Sequence, residues 1–293
     1  VLREIYADMG SNRRMNRLVQ GDVGSGKTIV ALFAMLLAVE SGRQAVLMAP
    51  TELLAEQHLR SLQELVGPLG LNVQILTGRL KTKARKKALD ALRDGTASLT
   101  VGTHALIQEG IEFQELGLVV VDEQHRFGVR QRMALGERAI PPDTLIMSAT
   151  PIPRSLAMTL YGDLDLSLLD EMPEGRKPVR TWLRYPSKRA EVHRFIDEEL
   201  EAGRQAYIVY PLVEESEKVD LRSATEEYER LSTEVFQHRR VGLIHGQLAS
   251  AEKDQVMRAF LTGDLDVLVA TTVIEVGIDV PNASVMVVEH AER

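Results

Sequence analysis

The chain of 293 residues has no cysteine, so neither a disulfide nor a cysteine-ligated zinc can hold it together. A reducing, cytoplasmic setting is the expectation. Aromatic residues are scarce at 4%, with one tryptophan, which makes base stacking a poor way to grip a nucleic acid. Long hydrophobic runs are missing too. The longest, Ile29 to Val39, is too short to span a bilayer, and no secretory or lipidation signature opens or closes the chain. No membrane partner is expected. An excess of positive charge is also absent: the net charge is −7. Residues 1–170 carry 19 Lys+Arg against 19 Asp+Glu, and residues 171–293 carry 16 against 23. Bulk attraction therefore cannot recruit a polyanion, and any nucleic-acid binding must come from local groups.

What is present is a globular composition, 44% hydrophobic and 26% charged, at a length that suits two domains. The first half alternates short apolar runs with helical periodicity. Strands are expected at Asn16–Gln20, Gln44–Ala49, Val73–Leu76, Leu99–Gly102, Leu118–Val121 and Thr144–Met147. Helices are expected at Thr28–Glu40, Glu52–Val66 (with Thr51 as N-cap) and Lys81–Arg93. The last is basic, and a solvated face is its default reading, with attraction of DNA the alternative. A second α/β pattern has strands at Val179–Leu183, Ala206–Val209, Val241–Ile244, Val267–Ala270 and Val285–Val288. Its helices are expected at Ala190–Glu201, Thr225–Gln237 and Ala251–Phe260, with the acidic stretch Glu214–Glu229 a solvated loop leading into a helix. The proline- and glycine-bearing segment Met172–Pro178 reads as a linker, which sets domains of 1–171 and 179–293. The architecture repeats, but no internal repeat is expected in the residues. Strand–helix alternation of this kind gives parallel sheets with helices on both faces.

Between the first strand and its helix stands Gly21-Asp22-Val23-Gly24-Ser25-Gly26-Lys27-Thr28, which fits G-x-x-x-x-G-K-[ST]. A glycine-rich loop entering a helix turns successive backbone N–H groups inward, where the helix dipole adds positive potential. This is a polyphosphate site for ATP. Lys27 is expected on the β- and γ-phosphates and the Thr28 hydroxyl on Mg²⁺. The valine-rich run Gly117–Val121 ends in Asp122-Glu123-Gln124-His125. Alone, an Asp-Glu pair after a strand is more often a solvated turn. Beside a P-loop, Asp122 reads as the carboxylate that holds Mg²⁺ and Glu123 as the base for the attacking water. Two α/β domains sharing one P-loop suggest a nucleotide held between them, and hence a motor.

Three longer motifs, Asp122-Glu-Gln-His-Arg-Phe-Gly128, Ser148-Ala-Thr-Pro-Ile-Pro-Arg154 and Thr271-Thr-Val-Ile-Glu-Val-Gly-Ile-Asp-Val-Pro281, resemble superfamily 2 helicases. The resemblance is closest to the RecG family of bacterial branched-DNA translocases and covers essentially the whole chain. The transcription-repair coupling factors share much of this set, but Gln124 and Tyr210–Ser216 favour RecG. It implies two RecA-like P-loop NTPase-type domains, the second incomplete at its C-terminus, driven by ATP and Mg²⁺ along branched or duplex DNA. By the same resemblance Gln124 and His125 relay the nucleotide state to Ser148, Thr150 and Arg154, while Gly277 and Asp279 approach the nucleotide. Pro50, Thr51, Thr77, Gly78, Arg79, Thr103, His104, His245, Gly246, Thr271 and Thr272 are implied as DNA-backbone contacts. An adenine-reading glutamine, a wedge domain and a C-terminal arginine segment belong to the family pattern but not to these residues. The expectation is a monomeric motor core from a larger, nucleoid-associated bacterial protein. As given, it is expected to bind nucleotide with little turnover. The rival readings are the motor of a coupling factor and a nucleotide-binding module without turnover.

Overall fold

In the computed structural model the described residues are 1–107, 110–122, 141–150, 164–171, 178–210, 217–271 and 280–291. They form two compact units, Val1–Lys177 and Pro178–Arg293. The first carries β1 (Asn16–Gly21), β2 (Gln44–Met48), β3 (Val73–Leu76), β4 (Leu99–Gly102), β5 (Leu116–Asp122), β6 (Asp143–Ser148) and β7 (Asp165–Leu169). Every pairing is parallel, in the order β3-β4-β2-β5-β6-β1-β7. Its described α-helices are α1 (Leu2–Met9), α2 (Lys27–Glu40), α3 (Glu52–Val66) and α4 (Thr82–Arg93). Parallel strands covered on both faces are written as continuous apolar runs, and every residue of β2 is buried.

The second unit has β8 (Gln205–Val209), β9 (Val241–Ile244), β10 (Val267–Ala270) and β11 (Ala283–Val288), parallel in the order β11-β8-β10-β9. Its described helices are α5 (Arg189–Glu201), α6 (Glu217–Arg230) and α7 (Ser250–Leu261).

Three expectations need correction. The run Val179–Leu183 is not a strand: none of the four strands pairs with it, and Val179 and Leu183 are 83% and 73% exposed. Without a ladder partner its backbone groups must turn to water. The helix expected from Thr225 already begins at Glu217, inside the acidic stretch, and Leu231–Val235 is a single π turn. Carboxylates near a helix N-terminus complement its dipole, so acidity there is no argument for a loop. Two further elements, α1 and β7, were not legible. Arg17 joins them to β1: its buried guanidinium donates to Asp8 on α1 and Ser167 on β7, each at 2.7 Å.

The third correction is that the residues do repeat. Gly42-Arg-Gln-Ala45 and Gly203-Arg-Gln-Ala206 each follow a helix and open a central strand. Gly42 and Gly203 take φ of 77° and 79°, a left-handed turn that a side chain resists. Both glutamines are buried. Gln44 Nε2 donates to the carbonyls of Leu92 and Ala97, each at 2.9 Å. Gln205 Nε2 donates to those of Phe260 and Leu265, at 2.6 and 2.7 Å. In each unit the amide thus closes the end of one helix onto the strand that follows it. By pairing, β2, β3, β4 and β5 correspond to β8, β9, β10 and β11. Gln44→Leu should leave the Ala97 carbonyl and the Glu115 N–H without partners, while the Leu92 carbonyl keeps the Gln114 N–H at 3.1 Å. Unpaired buried groups cost about 1–3 kcal/mol each, so a loss of about 3 kcal/mol is expected. Urea unfolding of the first unit measures it, and an unchanged midpoint would mean that water replaces the amide.

Candidate nucleotide and nucleic-acid site

Parallel pairing brings all strand C-termini of the first sheet to one edge, where open α/β sheets collect ligands. There β1 ends in Gly21, β6 in Ser148 and β5 in Asp122. Gln20 is in register with Ser148, and Asp122 with Met147. One strand separates the loop strand from the carboxylate strand, two interstrand spacings or about 10 Å.

The loop is built for an anion. A Cβ on Gly21 would stand 2.6 Å from Ser25 Oγ and 2.9 Å from the Leu169 carbonyl, so only glycine fits where β1 turns out of the sheet. Gly24 and Gly26 take φ of 81° and 91°. Among the described residues the N–H groups of Gly24, Gly26 and Thr28 donate to no protein acceptor, and the buried Ser25 Oγ has no partner. Lys27 Nζ reaches back over the loop to the carbonyls of Gly21 and Asp22, both at 2.8 Å. Orphan donors, a cation and a helix N-terminus converge here, with Asp22 and Val23 exposed at the rim.

Sequence reasoning missed two residues at this edge. His58, on α3, places Nε2 2.8 Å from Asp122 Oδ2, with both residues buried. The signal was a histidine on the buried stripe of α3, with Ala55, Leu62 and Val66. Gln20, the last residue before Gly21, donates from Nε2 to the Thr150 carbonyl at 3.0 Å. Ser148 Oγ in turn lies 3.0 Å from Thr150 Oγ1 and accepts the Thr150 N–H. The polar end of an otherwise apolar strand was the available sign.

The implied DNA contacts occupy the other part of the same edge. Pro50 and Thr51 follow β2, Thr77, Gly78 and Arg79 follow β3, and Thr103 and His104 follow β4. The order β3-β4-β2-β5-β6-β1 therefore segregates the two sets along the edge. The Thr51 hydroxyl caps α3 through the Leu54 N–H, and Thr77 and Thr103 are buried. Gly78, Arg79 and His104 are the exposed groups, and Glu52 accepts the Arg79 N–H at 3.1 Å and pairs with its guanidinium at 3.0 Å. On α4, Lys83, Lys86 and Lys87 are exposed while Ala88 and Leu92 join the core, as a solvated face requires.

In the second unit His245 and Gly246 follow β9 and the buried Thr271 follows β10. Burial first, then nearby Lys253, holds the His245 pKa below its ordinary value. His245 is thus neutral at neutral pH. Glu123, Gln124, His125, Arg154, Thr272, Gly277 and Asp279 lie outside the described residues.

The DEAD/DEAH box helicase family matches residues 3–159, more than half of the chain. The chain belongs to that family. The helicase conserved C-terminal domain matches residues 187–293. Relatives named ATP-dependent DNA helicase RecG are 52% identical in Synechocystis sp. and 53% in Thermotoga maritima, over 100% and 99% of the chain. The chain spans only 35% and 37% of those two proteins. A structure of RecG bound to a three-way DNA junction has a TM-score of 0.82 at 48% identity, covering 97% of this chain and 37% of that one. Yeast Dbp5, at 19% identity and a TM-score of 0.64, over 98% of this chain and 73% of that one, shares the helicase fold. The resemblance to RecG helicases and the two parallel-sheet α/β units read from the sequence are both borne out. Among the described residues no helix is long and apolar enough to cross a membrane.

Proposed function

We propose that the chain is the motor core of an ATP-driven translocase that remodels branched duplex DNA. Holliday junctions and stalled replication forks in recombination and repair are its substrates, in the bacterial cytoplasm at the nucleoid. The observation that carries this is the segregated edge of the first sheet, phosphate loop and carboxylate on one side and backbone-contact corners on the other. The RecG relatives and the junction-bound RecG structure favour branched DNA over a coupling factor's polymerase. The motor domains are taken as 1–171 and 179–293, joined by 172–178. The protein works as a monomer with a wedge and an arginine segment supplied by the wider RecG architecture.

The residues fit Mg²⁺. Thr28 offers a hydroxyl from the first turn of α2 and Asp122 a carboxylate of which His58 engages one oxygen, a hard-oxygen set that suits this ion. When bound, Mg²⁺ neutralises charge on the β- and γ-phosphate oxygens. The loop N–H groups of residues 21–28 and Lys27 hold the phosphates, and Glu123 orients and deprotonates the attacking water. Gln124 and His125 pass the nucleotide state to Ser148, Thr150 and Arg154, with Gly277 and Asp279 closing on the nucleotide. Pro50, Thr51, Thr77–Arg79, Thr103, His104, His245, Gly246, Thr271 and Thr272 form the corners that track the DNA backbone.

Steady-state ATPase with three-way junction, linear duplex and no DNA tests the reading, on this chain and on the longer protein. Stimulation in the longer protein should be greatest with the junction, and none would sink the proposal. DNA affinity should be indifferent to sequence and fall with salt at a shallow slope, from about 2–4 released counterions. In fluorescence anisotropy across a salt series, Arg79→Ala should lower affinity and reduce that count by about one. His245→Ala should lower affinity without changing the slope, because the imidazole carries no charge. A clear base preference, or tight binding that persists at high salt, would contradict backbone tracking.

A further inference from the structure

We infer that His58 is a positioning residue that sets the Asp122 carboxylate and couples it, through α3, to the backbone-contact corners. This deepens the motor reading and rests on it. An ionised carboxylate only accepts hydrogen bonds, so the 2.8 Å contact is an Nε2–H donated to Asp122 Oδ2. With both residues buried, water competes little for that bond, and the carboxylate is held in one orientation. One oxygen is thereby engaged, and the other is left to the hydrated cation.

The second half of the inference comes from where α3 begins. Its N-cap, Thr51, stands at the corner after β2, and Glu52 grips Arg79 at the corner after β3 by two contacts. His58 lies seven residues beyond Thr51, about 10 Å along the same helix. The body of α3 packs on β3 and β4, two strands that carry corners and none of the nucleotide loop. Among the described hydrogen bonds and ion pairs of α3, the one from His58 reaches the carboxylate strand β5. A backbone that displaces the start of this rod moves its far contact with Asp122. The strand order keeps track and nucleotide groups apart, and α3 spans them.

The test uses the full-length protein and Mn²⁺ as a probe visible to electron paramagnetic resonance, titrated in the presence of ADP. His58→Leu removes the donor and should weaken Mn²⁺ about tenfold, the lower end of what outer partners of metal ligands are worth. ADP affinity in metal-free buffer should not change, and the stimulation of ATP turnover by a three-way junction should fall severalfold. His58→Gln places an amide nitrogen at similar reach and should restore most of both. Should the leucine variant not fold, His58→Asn, whose donor stops short of Asp122, takes its place with the same expectation. Glu52→Gln should lower junction stimulation while leaving Mn²⁺ affinity as it was. Wild-type Mn²⁺ affinity in the leucine or asparagine variant would reduce His58 to a packing role. Undiminished stimulation in Glu52→Gln would break the link through α3. If the unaltered protein showed no response to DNA, the motor reading would fail, and the Mn²⁺ comparison would still decide the role of His58.

Discussion

Lys27→Ala is expected to weaken Mg·ATP binding about 100-fold while leaving the fold intact. Two charge-assisted hydrogen bonds to phosphate oxygens are worth about 1.5 kcal/mol each at the low end, together roughly two powers of ten. The ammonium also ties the two ends of the loop together by its bonds to the Gly21 and Asp22 carbonyls. Its loss therefore frees the loop to wander and adds an ordering cost on binding. One bond is exposed and the other only part-buried, and neither lies in the core, so the melting temperature should hardly move. Titration with a fluorescent ATP analogue, together with thermal melting, measures both quantities. Affinity within threefold of the unaltered protein would mean that the loop N–H groups carry the phosphates alone.

Glu123→Gln should do the opposite, sparing affinity and abolishing turnover. The amide keeps the shape and can still orient a water, but it cannot take the proton, and removing a general base costs roughly 10²-fold or more. The assignment rests on sequence position: Glu123 is the residue after Asp122, whose place at the end of β5 is described. Asp122 is the natural contrast. Its replacement by asparagine should weaken Mg²⁺ dependence and nucleotide binding together, because the proposal sets it on the cation rather than on the water. The measurement is steady-state ATPase of the longer protein alongside nucleotide affinity for each variant. If Glu123→Gln kept its turnover, Glu123 would be demoted to the cation's surroundings and the base would have to be sought elsewhere.

The strand–loop–helix frame of the proposed phosphate site was legible because its pattern is local. Gly21 to Thr28 must be consecutive, since neighbouring N–H groups form the cradle and Lys27 and Thr28 open the helix behind it. The central strands were legible for a related reason: β2 and β5 are buried on both faces, so nearly every side chain had to be apolar. Thr51 was recognisable as a cap because its partner, the Leu54 N–H, is three residues away. The tertiary structure decided the rest, wherever the partner is distant or polar. Periodicity assigns a residue to a helix face but does not name what that face meets. His58 thus read as one histidine on α3 until the crossover set it against Asp122, 64 residues on. Gln20 needed Thr150, 130 residues away, and β7, with its mixed polar pattern, needed Arg17 to hold Ser167 against the edge of the sheet. The strand order belongs to the same class. An alternating sequence requires parallel strands but leaves their sequence across the sheet open, and only packing placed β6 between β1 and β5 and gathered β2, β3 and β4 on the other side of β5.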